Sequence, residues 1–272
     1  MAFAPKLTTV APDTPKAYDK KTDSEADQEA KHSDYSIYAV KGCDDPIEAL
    51  EDTSLILSLV TADEAVNAAQ NAAEHIGKGA LYCDMNSVAP QSKKIAAQMI
   101  DNAGGHYIDV AIMAPVYPPK ENVPLLVSGS NADKATDALK QAGFTNVQSA
   151  GEIVGQASTI KMCRSIIIKG TEALTAEAML AAQQAGVRNA VVTSMPPEWA
   201  DRADYNLDRM MVHGRRRAAE MDEVVKTLEA LDQDASMARA TADWQRQIGE
   251  LGLVPAEGLR DKLKQIVKGE RL

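Results

Sequence analysis

The stretch Gly155-Gln-Ala-Ser-Thr-Ile-Lys161-Met-Cys-Arg164-Ser165-Ile-Ile-Ile-Lys-Gly170 divides the chain in two. From Gln156 to Ala185 there is no proline, Gly170 is the single glycine, and apolar residues fall nearly all round the helical projection. Such a run predicts one long, deeply buried helix. Upstream of it, strand-like and helix-like stretches alternate. Downstream, beyond the break at Pro196-Pro197, apolar residues recur at spacings of three and four, as in Met221, Val224, Val225, Leu228 and Leu231, which predicts amphipathic helices.

In the upstream half, Lys16 to Asp19, Ser54 to Val60, Leu81 to Asp84, Tyr107 to Met113 and Val123 to Val127 read as strands. Asp63 to Ile76 has helical period and stops at Gly77-Lys-Gly79. Pro90 suits a first helical turn, with Gln91 to Asn102 running on to Gly104-Gly105, and Ala132 to Ala142 reads as a further helix. Alternation of this kind implies parallel strands with crossover helices. The charged stretch Asp19 to His32 reads as a solvated surface. The fold class is therefore α/β: a Rossmann-like domain over residues 1–154, then an all-helical domain over 155–272.

Composition narrows the function classes. With 45% hydrophobic and 25% charged residues the chain is globular, and at 4% aromatics its core rests on Ala, Leu, Ile, Val and Met. A net charge of −10 argues against a nucleic-acid partner, the one dense basic cluster being Arg215-Arg216-Arg217. No apolar run reaches the roughly 20 residues of a membrane span, and Met1-Ala-Phe-Ala-Pro is broken too soon for a signal peptide. Cys43, Cys83 and Cys163 form no CxxC pair and read as reduced, small buried hydrophobes in a cytoplasmic protein. His32, His75, His106 and His213 share no ligand spacing, so no metal site is expected.

Four stretches can carry chemistry, and each has a plainer reading. Ser58-Leu-Val60-Thr61-Ala62-Asp63 ends a strand, where doubly wound sheets bind ligands; an ordinary helix cap would look the same. Asp84-Met-Asn86-Ser87-Val-Ala-Pro90 places short polar side chains at a strand-to-helix turn, fit for an anion or for simple capping. Lys161 sits among Ile160, Met162, Ile166, Ile167 and Ile168. A buried lysine there can exchange a proton near neutral pH, whereas a lone helical lysine is usually solvated. Met211-Val-His213-Gly-Arg-Arg-Arg217-Ala-Ala-Glu220 reads equally as a clamp for carboxylate or phosphate and as an exposed helix start balanced by Glu220.

Taken in order, these stretches resemble the β-hydroxyacid dehydrogenase superfamily, which includes 3-hydroxyisobutyrate and 6-phosphogluconate dehydrogenases. The closest likeness is to a branch of NAD(P)-dependent oxidoreductases with a 6-phosphogluconate-dehydrogenase-like helical C-terminal domain. The resemblance implies hydride transfer between nicotinamide and a small hydroxyacid or related alcohol. Lys161, in the pattern G-x-G-x-x-x-K-x-x-x-N, would be the general acid/base. Asn86 and Ser87, at the hydroxyl positions of D-x-S-T-x-x-P, would bind substrate. So would Arg164 or Ser165, the latter standing where the family has asparagine. Val60, Thr61 and Ala62 would lie against the cofactor's ribose and nicotinamide. Two departures stand out: Ala157 replaces the second glycine of the helix pattern, and Met113-Ala-Pro115 replaces Ser-Gly-Gly, which implies a more apolar pocket.

The resemblance also implies a fingerprint G-x-G-x-x-G, which the sequence lacks: no glycine precedes Gly42. Asp19 stands where an acid grips the ribose 2′-hydroxyl, about 20 residues beyond that fingerprint, and this favours NAD over NADP. Counting back places the fingerprint before Met1, so Met1-Ala-Phe-Ala reads as the middle of a first helix. The expectation is an N-terminally incomplete Rossmann-like domain missing its first strand and glycine-rich loop. The long apolar helix implies a homodimer or larger assembly. Two other readings stand: an inactive or truncated relative serving only as a helical dimerisation module, and an imine reductase, against which the retained Lys161 speaks.

Overall fold

The structure, a computed structural model, describes Phe3, Ala4, Leu7 and residues 14–269. The chain divides into two compact units, Met1–Lys161 and Met162–Leu272. The division falls inside the long helix that begins at Gln156.

The first unit is α/β. Its elements run β1 (Lys16–Ala17), α1 (Glu25–Ile37), β2 (Lys41–Gly42), α2 (Pro46–Leu50), β3 (Leu55–Ser58), α3 (Ala65–Ala73), β4 (Leu81–Asp84), α4 (Pro90–Asn102), β5 (His106–Ile112), β6 (Leu125–Ser128), α5 (Ala132–Gln141) and β7 (Val147–Gly151). The strands form two sheets, a parallel pair β1-β2 and a five-stranded sheet in the order β3-β4-β5-β6-β7. Among the described residues no strand joins the two. The reading of Met1-Ala-Phe-Ala as part of a helix falls partly outside the described residues; Phe3 is buried edge-on to Phe144, ring centroids 4.9 Å apart.

One expectation is corrected here. The strands are not all parallel, because β5 and β6 pair antiparallel. Residues 113–124 between them carry Pro115, Pro118, Pro119 and Pro124 and hold no α-helix, so the chain makes no helical crossover and turns straight back. The stretch Asp19 to His32 is mostly exposed, as expected; from Glu25 it forms part of α1, whose Tyr35, beyond the stretch, is buried against Gly42, where a Cβ would stand 2.3 Å from the tyrosine ring.

Strand period explains the layered core. Leu81 and Cys83 face one side of the sheet with Ile108, Val110 and Val127, while Tyr82 faces the other with Tyr107, the alanines of α3 and Ile100 of α4. Asp84 and Asp109 fall on this second face, opposite each other in register.

The second unit is helical. It takes up most of α6 (Gln156–Gln184) and continues with α7 (Arg188–Ser194), α8 (Trp199–Glu229), α9 (Ser236–Glu250) and α10 (Leu259–Gly269). Helices α8 and α9 cross at Gly214 and Gly249, where a Cβ on Gly214 would stand 2.7 Å from the Cα of Gly249. Contrary to expectation, α6 is not buried all round. Met162, Ala173, Ala176, Met179 and Leu180 are covered, but Ile160, Ile167 and Leu174 are 44%, 70% and 64% exposed. Within each unit the neighbouring elements cover one side only. Cys43 and Cys83 are buried as expected, whereas Cys163, on the uncovered side, is exposed. No helix among the described residues is long and apolar enough to cross a membrane.

Candidate functional site

Two aspartates on neighbouring strands, both fully buried, would repel each other if nothing intervened. Lys93 intervenes from the first turn of α4, itself fully buried. Its Nζ lies 3.0 Å from Asp84 Oδ1 and 3.5 Å from Asp109 Oδ1, and donates to the Asp84 carbonyl at 2.8 Å. The Tyr107 hydroxyl donates to Asp84 Oδ2 at 2.5 Å. Burial first, then the Asp84 carboxylate, pushes that phenol well above its usual range, so it serves only as a donor.

Asp109 has a second task. Its Oδ2 accepts from the Ser158 amide at 2.9 Å and its Oδ1 from the Ser158 hydroxyl at 2.6 Å. The Ser128 hydroxyl donates to Asp109 at 3.2 Å and accepts from the Ala157 amide at 3.0 Å. These amides belong to the first turn of α6, which no helical carbonyl can satisfy, and a carboxylate there also meets the positive end of the helix dipole. Ahead of them Gly155 has φ +97, and a Cβ on it would press within 3.1 Å of Pro90 Cβ. The Asp84–Pro90 turn and the start of α6 are thus fastened to one another. Lys161 follows on the second turn of α6, half-buried.

Asn86 is held from both sides. Its amide Nδ2 donates to Ser58 Oγ at 3.1 Å, and its Oδ1 accepts from the Val60 amide at 2.7 Å. Its own backbone amide donates to Asp84 Oδ1 at 2.9 Å. The side chain expected to contact substrate therefore clasps the loop after β3. Ser87 beside it is half-buried. In that loop Leu59 and Val60 are 53% and 43% exposed, with Thr61 and Ala62 also exposed, forming an apolar lip at the strand ends.

At the end of β1, Asp19 Oδ1 accepts from the Lys21 amide at 3.1 Å, and Oδ2 pairs with Lys31 Nζ at 2.8 Å. Burial works to raise this carboxyl, but Lys31 and the Lys21 amide outweigh it and hold it below the usual range. In the second unit Arg164 is exposed and Ser165 half-buried. The arginine cluster is no helix start, since it lies in mid-α8. Arg217 is buried, its Nε donating to Glu172 Oε2 at 2.9 Å, while Arg216 pairs with Glu220. Gln245 donates to the same Glu172 oxygen at 2.8 Å. Arg217 is thereby consumed by the core.

The residues fit the two ends of a nicotinamide dinucleotide: an ionised acid after β1 and an apolar lip after β3, at the strand ends where such sheets bind ligands. The sequence holds no glycine-rich turn for the pyrophosphate between them. No group of three or more His, Cys, Asp or Glu side chains poised for a metal occurs among the described residues.

Sequence reasoning missed Lys93, Asp109 and Ser158 as working residues. For Lys93 a signal existed: Lys93, Ala96, Ala97 and Ile100 share the three-and-four spacing of the buried face of α4. The part played by Asp109 depends on strand register and could not be counted off the chain.

Residues 14–116 match the family described as the NAD binding domain of 6-phosphogluconate dehydrogenase. Residues 182–248 match a domain of unknown function, DUF1932. A conserved hypothetical protein from Sinorhizobium meliloti 1021 is 33% identical, with 98% of this chain and 92% of that one covered and a TM-score of 0.81. The conserved protein MTH1747, described as structurally similar to 3-hydroxyacid dehydrogenases, is 25% identical over 98% of this chain and 94% of its own, with a TM-score of 0.72. The 3-hydroxyisobutyrate dehydrogenase of Mycobacterium tuberculosis, solved with L-serine, is 13% identical over 98% and 94%, with a TM-score of 0.71, a likeness of fold alone.

Proposed function

The chain belongs to the β-hydroxyacid dehydrogenase superfamily, and from that premise we propose that it is an oxidoreductase for a small hydroxyacid or related alcohol. The bound cofactor would supply or accept the hydride. Lys161 Nζ gives a proton to the substrate oxygen, or takes one from it, as hydride moves. Ser87 contacts the substrate, as does Ser165, one turn beyond Lys161 on the same helix, with Arg164 next to it in the chain. Asn86 acts one step removed, by holding Val60 in place.

The observation that carries this reading is the fastening of the Asp84–Pro90 turn to the first turn of α6 through Asp109, Lys93 and the close approach of Gly155 to Pro90. A proton-transfer group must be held within a fraction of an ångström of its working position, and a buried network one turn away supports that for Lys161. The ionised Asp19 favours NAD, because a carboxylate repels a 2′-phosphate. A second copy of the chain covers the exposed stripe of Ile160, Ile167 and Leu174, whose seven-residue spacing suits helix pairing.

The test is turnover of 3-hydroxyisobutyrate and L-serine with NAD and with NADP, in wild type and Lys161→Ala. The substitution is expected to cut turnover by at least about 100-fold. Near-normal activity in the variant would remove Lys161 from its role, and a clear NADP preference would reverse the reading of Asp19. Absence of saturable binding of either cofactor would favour the non-catalytic helical module instead.

A further inference from the structure

Helix α6 carries five side-chain hydroxyls. Ser158 donates to Asp109, while Thr159, Thr171 and Thr175 each donate to the carbonyl four residues back, at 2.7 Å. Ser165 differs: its oxygen accepts from Lys169 Nζ at 3.1 Å, and its hydrogen has no acceptor among the described residues. Lys169 is itself buried and pairs with Glu220 Oε2 at 2.9 Å. Burying an ammonium is costly, and one carboxylate already balances it. Aiming a second N–H at a hydroxyl one turn away does nothing further for that pair. What it does is occupy the acceptor side of Ser165 and polarise its O–H bond.

We infer that Lys169 is a positioning residue for the substrate, turning the Ser165 hydroxyl into an oriented donor toward a carboxylate oxygen. The inference rests on the reading of Ser165 as a substrate contact. The ammonium stands one hydroxyl behind the contact, so the pair selects an anionic oxygen over a neutral one. The substrate class that follows is a free carboxylic acid, with esters and amides disfavoured.

The experiment titrates 3-hydroxyisobutyrate, its methyl ester and L-serine into NAD-saturated wild type, Ser165→Ala, Lys169→Met, Lys169→Arg and the double variant Ser165→Ala/Lys169→Met. Calorimetry gives the affinities. Ser165→Ala and Lys169→Met should each weaken binding of the acid about tenfold, as for one charge-assisted hydrogen bond, and leave the ester nearly unchanged. The double variant should bind no more weakly than either single one, and Lys169→Arg should keep part of the preference for acid over ester. A merely structural lysine would not change that preference. Thermal unfolding followed through Trp199 and Trp244 checks folding of the second unit. If Lys169→Met unfolds it, Ser165→Ala, which removes one oxygen, and Lys169→Arg still decide the matter. Unchanged acid affinity in these variants, or losses that multiply in the double variant, overturns the inference while the hydroxyacid reading stands. A wild-type chain that binds neither acid overturns both.

Discussion

Replacing Asp109 by alanine should loosen the start of α6 by a predictable amount. The carboxylate accepts three hydrogen bonds, from the Ser158 amide, the Ser158 hydroxyl and the Ser128 hydroxyl, all buried. Losing a helix cap costs about 1 kcal/mol, and each buried donor left without an acceptor costs about 1–3 kcal/mol. Stranding a buried lysine would cost about 3–5 kcal/mol, but Lys93 keeps Asp84 at 3.0 Å and its carbonyl at 2.8 Å, so that penalty does not fall in full. Relief of repulsion between the two aspartates works the other way. The expected sum is about 2–4 kcal/mol. Amide hydrogen exchange by mass spectrometry should show residues 156–160 exchanging about 30- to 900-fold faster. Tryptophan fluorescence reports only the second unit and serves as the control, since Trp199 and Trp244 both lie there. Wild-type protection at 156–160 in the variant would refute the idea that Asp109 anchors the helix bearing Lys161.

Gly214→Ala should destabilise, although alanine in place of a mid-helix glycine usually gains up to about 1 kcal/mol. The new methyl would stand 2.3 Å from the Gln245 carbonyl oxygen, a backbone atom that cannot swing aside, so overpacking of about 1–3 kcal/mol prevails; a raised urea midpoint by tryptophan fluorescence would contradict this. Ile167→Glu should shift the assembly toward monomer in sedimentation at micromolar concentration, and an unchanged oligomer would exclude the stripe as its interface. Lys169 makes stability depend on alkaline pH. Burial lowers its pKa from 10.5, with Arg217 adding and with Glu220 and Glu172 opposing. Between the folded value and 10.5 the unfolded chain holds a proton the native state has released, so this contribution grows as pH rises. The urea midpoint of wild type relative to Lys169→Met should therefore move in favour of wild type through that window, and a slope of opposite sign would refute it.

The elements whose local signals agree were legible in sequence. Pro90 at a first turn, Gly104-Gly105 after Asn102 and the apolar run from Gln156 each mark structure within a few residues of themselves, and the strands and helices fall there. The direction of β6 was not legible, because it depends on the prolines of residues 113–124 ruling out a crossover. Nor was the one-sided exposure of α6: periodicity counts apolar residues but does not say which of them a neighbour covers. In the site, Asn86 was found by its position in a motif, but its bonds to Ser58 and Val60 join two strand ends 26 to 28 residues apart in the chain, beyond any local reading. The same holds for Arg217, whose partner Glu172 is 45 residues away.

The clasp that Asn86 makes has a kinetic meaning. A strand-end loop left to itself samples many shapes, and a ligand must then wait for the right one or select it at a cost in affinity. Here the Val60 amide is already captured at 2.7 Å by a buried side chain whose other end is tied to Ser58. The apolar lip of Leu59 and Val60 stands ready before anything arrives. Association at this edge should then be a single concentration-dependent step with no slow phase of loop ordering, and the lifetime of the complex should be set by contacts with the ligand, not by the loop reopening.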